Sequence, residues 1–182
     1  LITPELLVNN TIYPKRVNQL NKICLKFEDL VKLRNHCSKI DIDFGISIFD
    51  LQGVKKTKEH LNPDFVKIAS SDFTFNILIE EILKNFDNVV ISSGMANFDE
   101  INDFFNNFND QIKNLVFCYC VSLYPANIQN LNLNNIVHIR NLLDNLDQRF
   151  PDQNLNIKLG YSDHSDDKNV IISSFTLGCT FL

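Results

Sequence analysis

The pentapeptide Gly160-Tyr161-Ser162-Asp163-His164 sets a hydroxyl, a carboxylate and an imidazole side by side, directly after a short apolar run that ends at Leu159. Earlier in the chain the same form, an apolar stretch closing on a hydroxyl residue, occurs at Ser47, Ser70, Ser92 and Ser122. Together these segments offer Ser47, Lys67, Ser70, Asp72, Ser92, Ser122, Ser162, Asp163 and His164. Several hydroxyls with one lysine suit a phosphate: neutral donors bond its oxygens and Lys67 supplies the compensating charge as a point cation. A lysine in the body of an apolar strand is costly unless it meets an anion. The plainer reading lets Lys67 reach outward to water and lets serine simply end strands. Recurrence of the whole set at successive strand ends favours the anion.

Asp72 is a candidate for proton transfer or for binding substrate hydroxyls. His164 fits three roles: metal ligand, general base, or an imidazole held by a backbone carbonyl. No HxxxH or HExxH spacing is present, so a second metal ligand has to come from elsewhere. Cys118 and Cys120 share one strand face, but a CxC without a second pair reads as two small buried apolar residues rather than a metal site. His36, His60 and His138 lie in helix-like contexts and read as surface residues.

These side chains need strands to carry them. Apolar runs at residues 43–48, 65–69, 88–91, 115–121 and 157–160 predict strands, and a sixth begins at Cys179. Between them, helical spacing is predicted over residues 51–61, 76–86, 99–108, 136–146 and 167–176, with Ile77, Leu78, Ile82 and Phe86 facing inward in the second. A further helix starts near Leu25, with Leu25, Leu30, Leu33 and Cys37 on one face. Residues 1–22, holding Pro4 and Pro14, show no period and read as a connection. The expected organisation is a poorly defined segment 1–25 followed by a βα domain over 26–182. Strands alternating with helices imply a parallel sheet, either doubly wound or a (β/α)8 TIM barrel. A ring of strand ends facing one centre favours the α/β barrel, incomplete, with about six of its eight βα units present.

A net charge of -5 lacks the basic patch of a nucleic-acid or membrane-surface binder. No apolar run approaches the roughly 20 residues that span a bilayer. Five cysteines, an odd number, are expected as reduced thiols in a cytoplasmic protein. The chain opens at Leu1 and stops at Leu182 within an apolar run, so it is expected to be an internal piece of a longer protein.

Lys67-Ile68-Ala69-Ser70, Ile91-Ser92-Ser93-Gly94-Met95 with Glu100-Ile101, Cys120-Val121-Ser122-Leu123-Tyr124-Pro125 and Gly160-Tyr161-Ser162-Asp163-His164 occur in one order. That order, together with Ser47-Ile48-Phe49-Asp50, resembles the sialic acid synthase family from about residue 26 onward. The resemblance implies a transferase, N-acetylneuraminate synthase-like, that condenses phosphoenolpyruvate with an N-acylamino sugar aldehyde and releases phosphate. It implies that Lys67, Ser47, Ser70, Ser92, Ser122 and Ser162 hold phosphoenolpyruvate, that Asp72 stands near the reaction centre, and that Tyr124 lines the sugar pocket. His164 would be one of two histidines holding a divalent metal, Mn2+ or Mg2+, the other lying in a Glu-Lys-His strand after Leu182. A homodimer, in which a C-terminal domain reaches into the partner's site, is implied for the full-length protein.

This sequence departs from the family pattern at Tyr119, where His is common, at Ser71, where Gly is usual, and at Asp72, where Glu is usual. The missing parts of the barrel imply that the isolated piece is inactive. Pseudaminate, legionaminate or spore-coat polysaccharide synthases of the same class fit the same motifs. So does a barrel aldolase, which would release no phosphate, and so does a degenerate barrel kept for binding alone.

Overall fold

A computed structural model describes residues 7–8, 11–12, 22 and 25–182. Leu7–Val8 (β1) and Thr11–Ile12 (β2) pair as a two-residue antiparallel ladder within the stretch read as a connection. A ladder that short leaves no alternation to detect. The rest of residues 1–24, apart from Lys22, lies outside the described residues.

Phe27–Lys39 forms α1, followed by β3 (Gly45–Ser47), α2 (Leu51–His60) and β4 (Phe65–Ile68). Then come α3 (Asn76–Asn85), β5 (Asn88–Ser92), α4 (Phe98–Phe108) and β6 (Asn114–Cys120). The chain continues through α5 (Asn134–Asp144), α6 (Leu146–Arg149), β7 (Asn156–Ser162) and α7 (Lys168–Thr176). Several helices start where a side chain meets an orphan backbone N–H. Asp50 caps α2 at the Gly53 N–H, Asn97 and Glu100 form a reciprocal capping box on α4, and Asp167 caps α7 at the Asn169 N–H.

Strands β3 to β7 are all parallel, and each lies beside its neighbour in the chain. A doubly wound sheet reverses its strand order at a switch point. Here the order never reverses, so right-handed crossovers send every connecting helix to one face. The result is an arc of a (β/α)8 barrel, as expected. Its predicted sixth strand is present as a parallel bridge between Gly160 and Phe181, where Tyr161 N donates to Phe181 O at 2.9 Å.

Period-two alternation divides the arc into two faces. Ile48, Val66, Ile68, Val89, Ile91, Leu115, Phe117, Tyr119, Leu159 and Tyr161 join the helices in one apolar cluster. The other face carries Ser47, Lys67, Val90 and Val116, then Ser92, Cys118 and Gly160, then Cys120 and Ser162, each group in register across the strands. Asparagines fix that register at the strand starts. Asn156 Nδ2 donates to Asn114 Oδ1 at 2.7 Å and Asn114 Nδ2 to Asn88 Oδ1 at 3.0 Å, so a one-residue slip breaks both bonds.

Two helix-face expectations are corrected. Ile77 is 63% exposed, while Leu78, Ile79, Ile82 and Leu83 are the buried residues of α3. Three consecutive apolar residues, Ile77 to Ile79, cover too much of the helix circumference for periodicity to say which edge faces inward. No residue of α1 is fully buried, and Leu25 and Leu33 are both exposed. A stripe of apolar residues predicts an amphipathic helix, not the surface that would bury it. Elsewhere, the helix predicted over 136–146 ends at Asp144 and is followed by the separate α6.

Candidate active site

The C-terminal ends of β4 to β7 bring most of the predicted residues together. Parallel strands that end in register must deliver their next residues to one rim. Gly94, just past β5, is the tightest point of that rim. A methyl group placed on it would stand 2.6 Å from Ser122 Oγ, 2.9 Å from Cys120 Sγ and 3.0 Å from Ser70 Oγ. The hydroxyls of Ser70 and Ser122, from different strand ends, are therefore neighbours around a glycine whose missing side chain makes the room. Gly94 N donates to Ser70 Oγ at 3.1 Å, and Ser93 Oγ donates to Cys118 O at 3.1 Å, which holds the turn against β6.

Ser92 Oγ and Ser122 Oγ are buried with no hydrogen-bond partner; among the described residues only Gln111 Oε1 shares that condition. A buried hydroxyl without a partner carries an uncompensated desolvation cost, unlike the great majority of buried polar groups. Lys67 makes no hydrogen bond or ion pair among the described residues. Its register partners are Ser47 and Val90 on the inner face. Burial pushes the Cys118 thiol up to about 12, and the Lys67 charge partly opposes this. Ser162 closes β7 in register with Cys120.

His164 joins the β6 and β7 ends. Its Nδ1 is 2.9 Å from the Val121 carbonyl and 3.7 Å from Cys120 Sγ. A carbonyl only accepts, so this contact puts the proton on Nδ1 and leaves the Nε2 lone pair free. The Tyr124 ring lies 4.2 Å from the imidazole and is itself largely exposed. Asp163 turns away to clamp its own loop, accepting from Ser165 N at 2.9 Å and from Ser165 Oγ at 3.1 Å.

Asp72 lies in a single 3-10 turn, Ser70–Asp72, and its carboxylate accepts from Ser71 Oγ at 3.2 Å. Burial raises its pKa, with the Ser71 bond opposing. Among the described residues no hydrogen bond or ion pair joins the Asp72 carboxylate to the cradle around Gly94. Among the described residues no group of three His, Cys, Asp or Glu side chains converges as a metal cage. His164 Nε2 thus fits one position of a metal's coordination shell and does not make a site alone. A separate hollow of about 400 Å³ lies at the strand starts, lined by Phe65, Val90, Val116, Asn114 and Lys158, and contains none of the predicted residues.

Cys120 was missed as a member of the rim, although it stands two residues before Ser122 and in register with Ser162. Tyr119, one of the departures noted above, faces the helices instead. Its hydroxyl donates to Leu131 O at 2.7 Å, so that substitution lies outside the rim chemistry. No helix among the described residues is long and apolar enough to cross a membrane.

Known proteins are similar to this chain in sequence and in the arc. The mouse N-acetylneuraminate-9-phosphate synthase is 29% identical over 151 residues, covering 83% of this chain and 39% of that protein. The N,N'-diacetyllegionaminic acid synthase of Campylobacter jejuni is 25% identical over 166 residues, covering 90% of this chain and 46% of its own length. This chain thus spans less than half of either relative. The crystal structure of the N-acetylneuraminic acid synthetase of Leptospira borgpetersenii superposes with a TM-score of 0.80 at 24% identity, over 92% of this chain and 54% of that one, which shows a shared fold. Residues 8–182 match the NeuB family, nearly the whole sequence and every strand of the barrel arc, and the chain belongs to that family.

Proposed function

We propose that this chain is the central part of a synthase that joins phosphoenolpyruvate to an N-acylamino sugar aldehyde, making a nonulosonic acid and releasing phosphate. The observation that carries the reading is the pair of buried, partnerless hydroxyls, Ser92 and Ser122, on the face that also presents the unpaired Lys67. A phosphate would satisfy both hydroxyls and the ammonium together.

In this reading Lys67, Ser47, Ser70, Ser92, Ser122 and Ser162 together hold the phosphate and carboxylate of phosphoenolpyruvate. The enol C3 attacks the aldehyde carbon, forming the new C–C bond as the carbonyl π electrons move to oxygen. Asp72, whose pKa burial raises, is the group this chain offers to relay the proton that makes that oxygen a hydroxyl. Water adds to the former enol carbon, and the C–O bond to phosphate then breaks. Fixed donors around the phosphate stabilise the leaving charge without reorganising. Tyr124 borders the sugar. His164 Nε2 is the ligand this chain offers a divalent cation, Mn2+ or Mg2+, whose chemistry there is Lewis-acid polarisation of the aldehyde. Its remaining ligands come from outside the described residues, and the full-length protein is proposed to be a homodimer.

N-acetylmannosamine is the leading sugar; the precursors of legionaminate and pseudaminate are the alternatives, in keeping with the names of relatives such as the Campylobacter synthase. The non-catalytic reading loses one of its motives because Tyr119 faces the helices. The test is Lys67→Ala in the full-length protein. The Michaelis constant for phosphoenolpyruvate rises at least tenfold while that for the sugar holds, and unchanged kinetics refute the phosphate assignment.

A further inference from the structure

Tyr119 lies on the helix face of β6, yet it holds the segment that carries two rim residues. Its hydroxyl donates to the Leu131 carbonyl, Asn135 Nδ2 donates to that hydroxyl at 3.3 Å, and its ring stacks on Tyr161 at 6.1 Å. Leu131 closes the run that leaves β6 and bears Ser122, Tyr124 and Ala126. On its other side this run meets the β7 loop. Ala126 N donates to His164 O at 2.8 Å, Val121 O faces His164 Nδ1, and the Tyr124 ring lies against the imidazole. Tyr124 has no side-chain hydrogen bond among the described residues, so its backbone and the imidazole beside it set where the ring stands. The run is held at Val121 and Ala126 by His164 and at Leu131 by a phenol. Burial raises that phenol's pKa, with Asn135 opposing, so it remains a donor at neutral pH.

We propose that Tyr119 is a positioning residue for the rim: through the Leu131 carbonyl it holds the run from Val121 to Leu131 so that Tyr124 rests on the face of His164. What Tyr124 does for a substrate rests on the synthase reading; the tether does not. A tyrosine that merely packs against Tyr161 would leave the rim unchanged when its oxygen is removed, and this is the distinction to measure.

The experiment is NMR of the full-length protein, labelled at tyrosine, histidine and alanine, with Tyr119→Phe. The contact between Tyr124 and His164 ring protons is lost and the Ala126 amide exchanges faster, while contacts of residue 119 with Tyr161 persist. Retention of the Tyr124–His164 contact overturns the proposal. Para-aminophenylalanine at 119 restores a donor and keeps the contact; loss there as well also overturns it. Should the Phe variant not fold, an ester in place of the Leu131–Asn132 amide weakens the same acceptor with Tyr119 intact, and the same loss or retention decides. None of these readouts needs turnover, so the tether and the synthase reading fail separately.

Discussion

Replacing Ser92 or Ser122 by alanine separates stability from binding. Ser92 is 2% exposed, and neither hydroxyl oxygen has a partner. An unsatisfied buried polar group costs about 1–3 kcal/mol. Alanine keeps the Cβ and removes the orphaned oxygen, so each variant is as stable as the parent or gains up to about 1 kcal/mol. Binding moves the other way. A hydrogen bond to a charged oxygen contributes about 1.5–3 kcal/mol, so each substitution weakens phosphoenolpyruvate binding by roughly 10- to 100-fold. Thermal melts of the full-length protein with and without phosphoenolpyruvate read both quantities at once. Ligand at 100 times its Kd stabilises the parent by about 2.7 kcal/mol, and at that same concentration a variant bound 100-fold more weakly gains only about 0.4 kcal/mol. A variant that loses more than about 1 kcal/mol of stability yet binds phosphoenolpyruvate as before would refute the reasoning, because its hydroxyl would then be a structural group.

Gly94→Ala drives a methyl into the space between Ser122 Oγ, Cys120 Sγ and Ser70 Oγ. It is expected to destabilise by about 1–3 kcal/mol and to abolish phosphoenolpyruvate binding, while adding Ser122→Ala, which removes the closest atom, recovers part of the stability in melts. Asp72 has a folded-state pKa above its unfolded value, so the folded chain carries a penalty that is fully present above the raised pKa and gone below the unfolded one, near pH 3.9. Asp72→Asn therefore raises Tm at pH 7, and the gain disappears by about pH 3; a gain that grows on acidification contradicts the assignment. His164→Ala in the full-length protein loses bound divalent metal, checked by elemental analysis after purification, and equal metal content in both proteins removes His164 from the ligand set.

The alternation of strands and helices was legible because apolar periods of two and of 3.6 survive the abundant asparagine. The strand ends were legible for a related reason: the hydroxyls at 47, 70, 92, 122 and 162 each follow an apolar run. What the residues could not reveal was where the inner face tightens. Gly94 matters through atoms from two other segments, and no local pattern encodes that approach. Cys120 hid in an apolar strand because a thiol resembles a small hydrophobe until its neighbours are known. Tyr119 looked like a lost catalytic group, yet strand alternation places it opposite Cys120 and Cys118, on the helix face. Three of the asparagines, Asn88, Asn114 and Asn156, lock the register of β5, β6 and β7.

The most direct measurement is a crystal structure of the full-length protein with phosphoenolpyruvate bound. The account predicts the phosphate on the inner face, with Lys67 Nζ, Ser92 Oγ and Ser122 Oγ each at hydrogen-bond distance, about 2.6–3.2 Å. A phosphate bound at another part of the barrel, with Lys67 in solvent and both hydroxyls still alone, would contradict it.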